Sequence, residues 1–270
     1  MKFKIYSSIF FTCFIIVANA QFIKKVLPLT NTDFTVIKIA GYKSCLKFKV
    51  EDNNSKILVA KATFSKNGTL KTVFENDDLG LLDLEDEKFS STTEYSFKEN
   101  GQLIYKEIKA DESETVKVVY EYKNNVVSTV TTVSIDPTIA HYKYNAKGKL
   151  IEIYTTVLMP AYDEAGEFTG KSVDVPQSKK KVLLNSKGQI IQIDEYNLTH
   201  EGAEGTISYS YLWKYDTQNR VIEYAFKNIS NDGIGFKETY VYNKQGLLIK
   251  CETTDTYDNT TKSFVFEYKK

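Results

Sequence analysis

The chain has 270 residues with 35 basic and 35 acidic side chains, so its formal charge is zero. No basic excess marks a nucleic-acid binder, and no acidic tail is present. Tyrosine (19) and phenylalanine (16) are plentiful while proline is scarce at four, a composition that suits half-buried pleated strands.

Residues 1–20 read as a secretory signal peptide. Lys2 and Lys4 give a positive start, Ile5 to Val17 is largely apolar, and Ala18-Asn19-Ala20 has the small-residue form of a cleavage site. The apolar run is too short for a comfortable membrane helix, and nothing later in the chain reaches that length. An exported protein is therefore expected, at the periplasm, cell surface or outside, with no membrane span in the mature chain. Residues 21–60 form either an N-terminal cap or a divergent hairpin. Asp33 to Tyr42 and Cys45 to Val50 have the look of strands, with Glu51-Asp52-Asn53-Asn54 as a turn. Residues 61–270 form a repeat region. Within it the acidic stretch 75–89 reads as a loop, with room for one helical turn.

The repeat unit is clearest from Thr206 to Asn228. Ile207, Tyr209, Tyr211, Trp213 and Tyr215 occupy every second position, the period of a strand. Asp216-Thr217-Gln218-Asn219 is a turn, and Ile222, Tyr224 and Phe226 resume the alternation. The result is a β-hairpin. Its turn has a fixed grammar: an aromatic or large apolar residue, three mostly polar residues, Gly or Asn, one residue, then an aliphatic. The same grammar runs from Phe64 to Leu70, Phe97 to Leu103, Tyr144 to Leu150, Leu184 to Ile190 and Tyr242 to Leu248. Tyr122 to Val127 is a shortened copy. Gly68, Gly101, Gly148, Gly188 and Gly246, with Asn219, fall where a tight reversal needs positive φ.

Tyr215-Asp216-Thr217-Gln218-Asn219-Arg220-Val221 resembles the YD repeat of the RHS family, whose unit reads Tyr-Asp-x-x-Gly-Arg-Leu. Tyr144 to Leu150 and Tyr242 to Leu248 are the next best copies. The resemblance spans about residues 60–268, although Asp follows the aromatic only at Asp216, and Arg precedes the aliphatic only at Arg220. It implies an array of β-hairpins winding into a shell. It does not carry over encapsulation, since no toxin domain or self-cleaving motif follows.

Catalytic signals are sparse. His141 and His200 are the two histidines, and no phosphate-binding loop, zinc-protease helix or serine elbow occurs. No cofactor or metal site is expected. Carboxylates are numerous, but none forms a recognisable pair. Lys179-Lys180-Lys181 reads as a charged strand edge that discourages edge pairing. Pro137, Pro160 and Pro176 fall near strand ends. Cys45 and Cys251 could form a disulfide in an oxidising compartment if the array closed on itself. Tyr209, Tyr211 and Trp213 form an aromatic stripe with two readings: stacking on a sugar or gripping a partner, or packing against neighbouring strands.

The sequence thus predicts an all-β fold, an antiparallel meander of hairpins wrapped into a curved sheet or shell, with a closed barrel or irregular propeller as the alternative. The expected function is non-enzymatic binding of a glycan or protein at the envelope. An RHS-type protective shell and a carboxylate-dependent hydrolase are the alternatives.

Overall fold

The computed structural model describes residues 37–270 apart from 67, 77–89, 100, 111–114, 135–136, 164–166, 200–201 and 230–234. The signal-peptide reading, most of the acidic stretch and His200 fall outside the described residues.

Among the described residues sixteen antiparallel strands follow one another in chain order and close into a barrel. They are β1 (Ser44–Val50), β2 (Lys56–Phe64), β3 (Leu70–Asn76), β4 (Ser90–Phe97), β5 (Leu103–Ala110), β6 (Val116–Lys123), β7 (Val126–Val133) and β8 (Thr138–Tyr144). Then come β9 (Leu150–Tyr162), β10 (Phe168–Leu184), β11 (Ile190–Leu198), β12 (Glu204–Tyr215), β13 (Val221–Asn228), β14 (Gly235–Tyr242), β15 (Leu248–Asp255) and β16 (Thr261–Lys269). The expected open curved sheet is corrected by the pairing of β1 with β16 from Ser44↔Lys269 to Val50↔Ser263. That seam removes both sheet edges, the one arrangement that leaves no strand unpaired along the wall.

Every other connection is a tight turn, and these lie together at one end of the barrel. At six of them the fourth residue has positive φ: Gly68, Gly101, Gly148, Gly188, Asn219 and Gly246. The ladder shifts register at the preceding aromatic or leucine, as between Lys143 and Tyr144, so each is a turn closed by a one-residue bulge. The residue after the aromatic locks the loop. Asn145 Oδ1 accepts the amides of Lys147 and Lys149 at 2.9 and 3.0 Å, and Asn185, Asp216 and Asn243 repeat the device. At Asp216 burial alone would raise the carboxyl, but the Arg220 and Gln218 amides and the Arg220 guanidinium outweigh it and hold it below its ordinary value. The seventh turn has two residues, Asn124 and Asn125, both with positive φ.

The segment before β1 is not the expected strand. Residues 37–40 form one helical turn, ended by Gly41 at φ 68°. Its Ile37 is fully buried in the core cluster, and Lys43 bridges the seam by donating to Lys269 O and accepting from Phe64 N. This stretch caps the tight-turn end where β16 and β2 flank β1.

The alternation decides the two faces. Val73, Val118, Val130, Ile153, Ile193, Tyr211, Leu248 and Phe264 point inward and are nearly withdrawn from water, so side chains fill the lumen. Many outward positions are charged, with Phe74, Val133, Leu183 and Val241 exposed among them. Lys143, Glu152, Lys179, Glu204 and Lys181 form a chain of ion pairs across the wall at 2.5–3.7 Å, and Lys214–Glu223–Lys237 forms another. The lysine triplet is therefore no sheet edge: Lys179 and Lys181 face out onto Glu204, while Lys180 faces in.

β9 and β10 outgrow the wall. Their pairing continues from Pro176↔Thr156 to Phe168↔Tyr162, forming a two-stranded arm beyond the end opposite the tight turns. Pro160 and Pro176 lie inside these strands and not at strand ends. The arm has free edges on both sides, where a missing amide donor is tolerated.

Candidate functional site inside the barrel and on its arm

Among the described residues six ionisable side chains sit on inward positions of the apolar lumen: Lys47, Glu75, Lys106, Lys180, Glu195 and Glu238. Each lies three to five residues from the tight-turn end of its strand, so together they form a belt of balanced charge. Five of the six are buried, and Glu75 is half-buried.

Lys180 and Glu195 stand opposite each other on β10 and β11. Their ion pair is 3.1 Å long, with each side chain 5 % exposed. Tyr211 donates its hydroxyl to Glu195 Oε2 at 2.8 Å, and its ring lies 5.5 Å from the Lys180 ammonium. Such a pair holds together because its remaining lone pairs and protons are satisfied; desolvation would otherwise outweigh the Coulombic gain.

On the seam side, Glu238 accepts hydrogen bonds from the Tyr240 hydroxyl and from Thr253 Oγ1. Burial, reinforced by Glu238, pushes the Cys251 thiol well above its ordinary value, and Lys47 acts against this. Lys47 itself lies 4.3 Å over the Phe264 ring. In the third group burial pushes the Lys106 amine down to about 7, with Glu75 pulling the other way. Tyr95 beside it is driven well above its ordinary value, first by burial and then by Glu75. The inward carboxylates lie on β3, β11 and β14, which are not neighbouring strands.

The aromatic stripe faces the same interior. Tyr211 is 3 % and Trp213 9 % exposed, and Tyr209 is half-buried. Tyr209 and Tyr211 pack on Phe226 at 5.6 and 5.4 Å, and Trp213 on Tyr224 at 5.3 Å. These rings are packing surface on the inner wall.

Cys45 and Cys251 do not pair. Barrel closure brings their strands to either side of β16, but Cys45 faces Tyr268 and Cys251 faces Phe264. Four residues along the strand and two strand spacings separate their Cα atoms by on the order of 15 Å. A disulfide tolerates about 7 Å, and both cysteines are buried and form no disulfide with each other. His141 is exposed on the outer face of β8. Among the described residues no cluster of three metal-ligating side chains occurs.

The arm was not singled out by sequence. Met159, Tyr162, Phe168 and Val173 are 46–63 % exposed along it, with the Tyr162 and Phe168 rings 6.1 Å apart. Unusual strand length was the available signal, hidden by the two prolines.

No family model and no curated protein matches the chain. Among solved structures it is similar to a porin-like protein from Bacteroides uniformis ATCC 8492, with a TM-score of 0.45 and 11 % identity over 84 % of this chain and 98 % of that one. An overlap that loose assigns neither fold nor function, and the barrel rests on its own strand pairing.

Proposed function

We propose that the chain is an exported, envelope-associated, non-enzymatic protein whose barrel is a rigid support and whose β9–β10 arm binds a partner protein. The carrying observation is the arm itself. A two-stranded ribbon is marginal on its own, yet this one holds four large apolar side chains in water. Exposed apolar surface of that kind marks interaction sites. The leader-like residues 1–20 support export. The charged outer wall supports a barrel standing in water, because a lipid-embedded barrel carries an outward apolar band about 25 Å tall. Among the described residues no helix is long and apolar enough to cross a membrane.

The test compares the wild type with a Tyr162→Ser/Phe168→Ser variant in envelope-protein capture and on a glycan array. Specific capture of a protein by the wild type, lost in the variant at unchanged melting temperature, supports the assignment. Equal retention by both sinks it.

A protective-shell role of RHS type is the second reading, favoured by the burial of Trp213. The filled lumen speaks for a scaffold and against one that encloses cargo.

A further inference from the structure

The formal charge of zero conceals a steep separation of charge along the barrel axis. At the tight-turn end eleven lysines stand exposed: Lys38, Lys43, Lys269 and Lys270 at the seam, the rest in or beside the tight turns. Each turn except that of Asp216 contributes at least one. Asp216 is paired to Arg220, which leaves Glu99 as the acidic residue in those turns. Apart from Asp216–Arg220, the ion pairs among the described residues lie on the wall and in the lumen, and none engages these eleven lysines.

The opposite end is the reverse. In sequence its eight connections (51–55, 77–89, 111–115, 134–137, 163–167, 199–203, 229–234 and 256–260) hold 18 of the 35 acidic residues and one lysine, Lys88. Among the described residues Glu51, Asp52, Asp163, Glu167 and Asp258 stand on that side, since alternate connections of the meander lie at alternate ends.

We propose that the tight-turn end is an electrostatic foot that seats the barrel on a bilayer surface of anionic phospholipid, with the acidic rim and the arm directed away from it. Three observations select this occupant. The cations ring a rim made of seven tight turns, six of them of one length, which suits a plane better than a linear polymer. Four of the turns are locked by Asn or Asp side chains, so little order is lost there on contact. Stacking of copies, acidic rim on basic rim, is opposed by the arm, which projects from the acidic rim where a flat contact would form. Each lysine near an anionic surface strengthens binding about fivefold, and the attraction is screened over about 8 Å at physiological salt. The foot is independent of what the arm binds, so an arm variant without a partner leaves it untouched.

The test is sedimentation with neutral phosphatidylcholine vesicles and with vesicles containing 30 % phosphatidylglycerol, using the chain from residue 21 onward. Binding to the anionic vesicles alone, abolished at 0.5 M salt, is expected. The Lys66→Gln/Lys147→Gln/Lys244→Gln variant should bind roughly 100-fold more weakly. These side chains project from exposed turns, and an unchanged circular dichroism spectrum verifies the fold. Equal binding to both vesicle types, or to neither, overturns the proposal. So does retention on a soluble polyanion such as heparin without vesicle binding, or salt-sensitive self-association in sedimentation velocity.

Discussion

The Tyr242 hydroxyl donates to the carbonyl of Val221, 2.8 Å away on the neighbouring strand. Tyr144 reaches Val127, Tyr215 reaches Ile190 and Tyr268 reaches Leu248 in the same way, at 2.8–3.0 Å. Tyr144, Tyr215 and Tyr242 each end the first strand of a hairpin, Tyr268 lies near the end of the last strand, and each acceptor lies at the start of the second strand of the hairpin before it. At this end of the barrel no turn joins those two strands, so the phenol fastens one hairpin to the next.

Removing one such fastening has a defined cost. Tyr242→Phe keeps the ring and loses the hydroxyl, leaving a half-buried carbonyl short of a donor. Stability should fall by about 1 kcal/mol. Tyr144→Phe should cost the same, and the two should add, because Tyr144 and Tyr242 lie on strands far apart in the barrel. Urea midpoints of the single and double variants check both points.

The buried pair of Lys180 and Glu195 predicts an asymmetry. Glu195→Gln strands an ammonium in the lumen and should destabilise by about 3–5 kcal/mol. Lys180→Met/Glu195→Leu removes both charges and should come within about 1 kcal/mol of the wild type, or exceed it. A double variant as unstable as the single one would mean that the pair is not desolvated as described. Chemical denaturation of both distinguishes these outcomes.

Lys106 gives stability a pH dependence of known sign. Its folded-state value, about 7, lies below the ordinary lysine value. Between roughly pH 7 and 10 the unfolded chain therefore binds the extra proton, and stability from this group rises with pH. Below pH 7 both states are protonated and the destabilisation is fully present. Lys106→Met should raise the denaturation midpoint most at pH 6 and flatten its rise between pH 7 and 10. A parallel shift at every pH would mean that the amine titrates normally.

Trp213, the only tryptophan, is 9 % exposed against Tyr224. Its emission should be blue-shifted and poorly quenched by iodide. Red-shifted, readily quenched emission would contradict the inward placement of the stripe.

Much of the wall could be read from the chain before any coordinates. The period of two from Ile207 to Tyr215 marks the face that packs inward, and Gly148, Gly188 and Gly246 mark reversals because the backbone there needs positive φ. Closure could not be read. It depends on Cys45 meeting Tyr268 across more than two hundred residues, and β1 shows no pattern that names β16 as its neighbour. The tyrosine hydroxyls were equally hidden, since the turn grammar accepts Phe64, Phe97 and Leu184 at the same position. Ring packing explains the aromatic, and only the neighbouring carbonyl explains the phenol.

The candidate site was less legible than the wall. Lys180 sits between two outward lysines, and a run of three reads as a solvated stripe until strand parity is fixed by Ile193 and Ile153 beside it. The helical turn at 37–40 defeated the strand pattern because burial of Ile37 at the barrel end outweighed local preference.

The β1–β16 seam has a last consequence. An open row of hairpins can gain or lose a unit at little cost, as linear arrays do. A ring cannot, because its circumference is set by how many members it has. Excising one hairpin, for instance Val221–Tyr242, would force every remaining curvature to change, whereas cutting the chain elsewhere and splicing Lys43 to Lys270 would leave the circle whole.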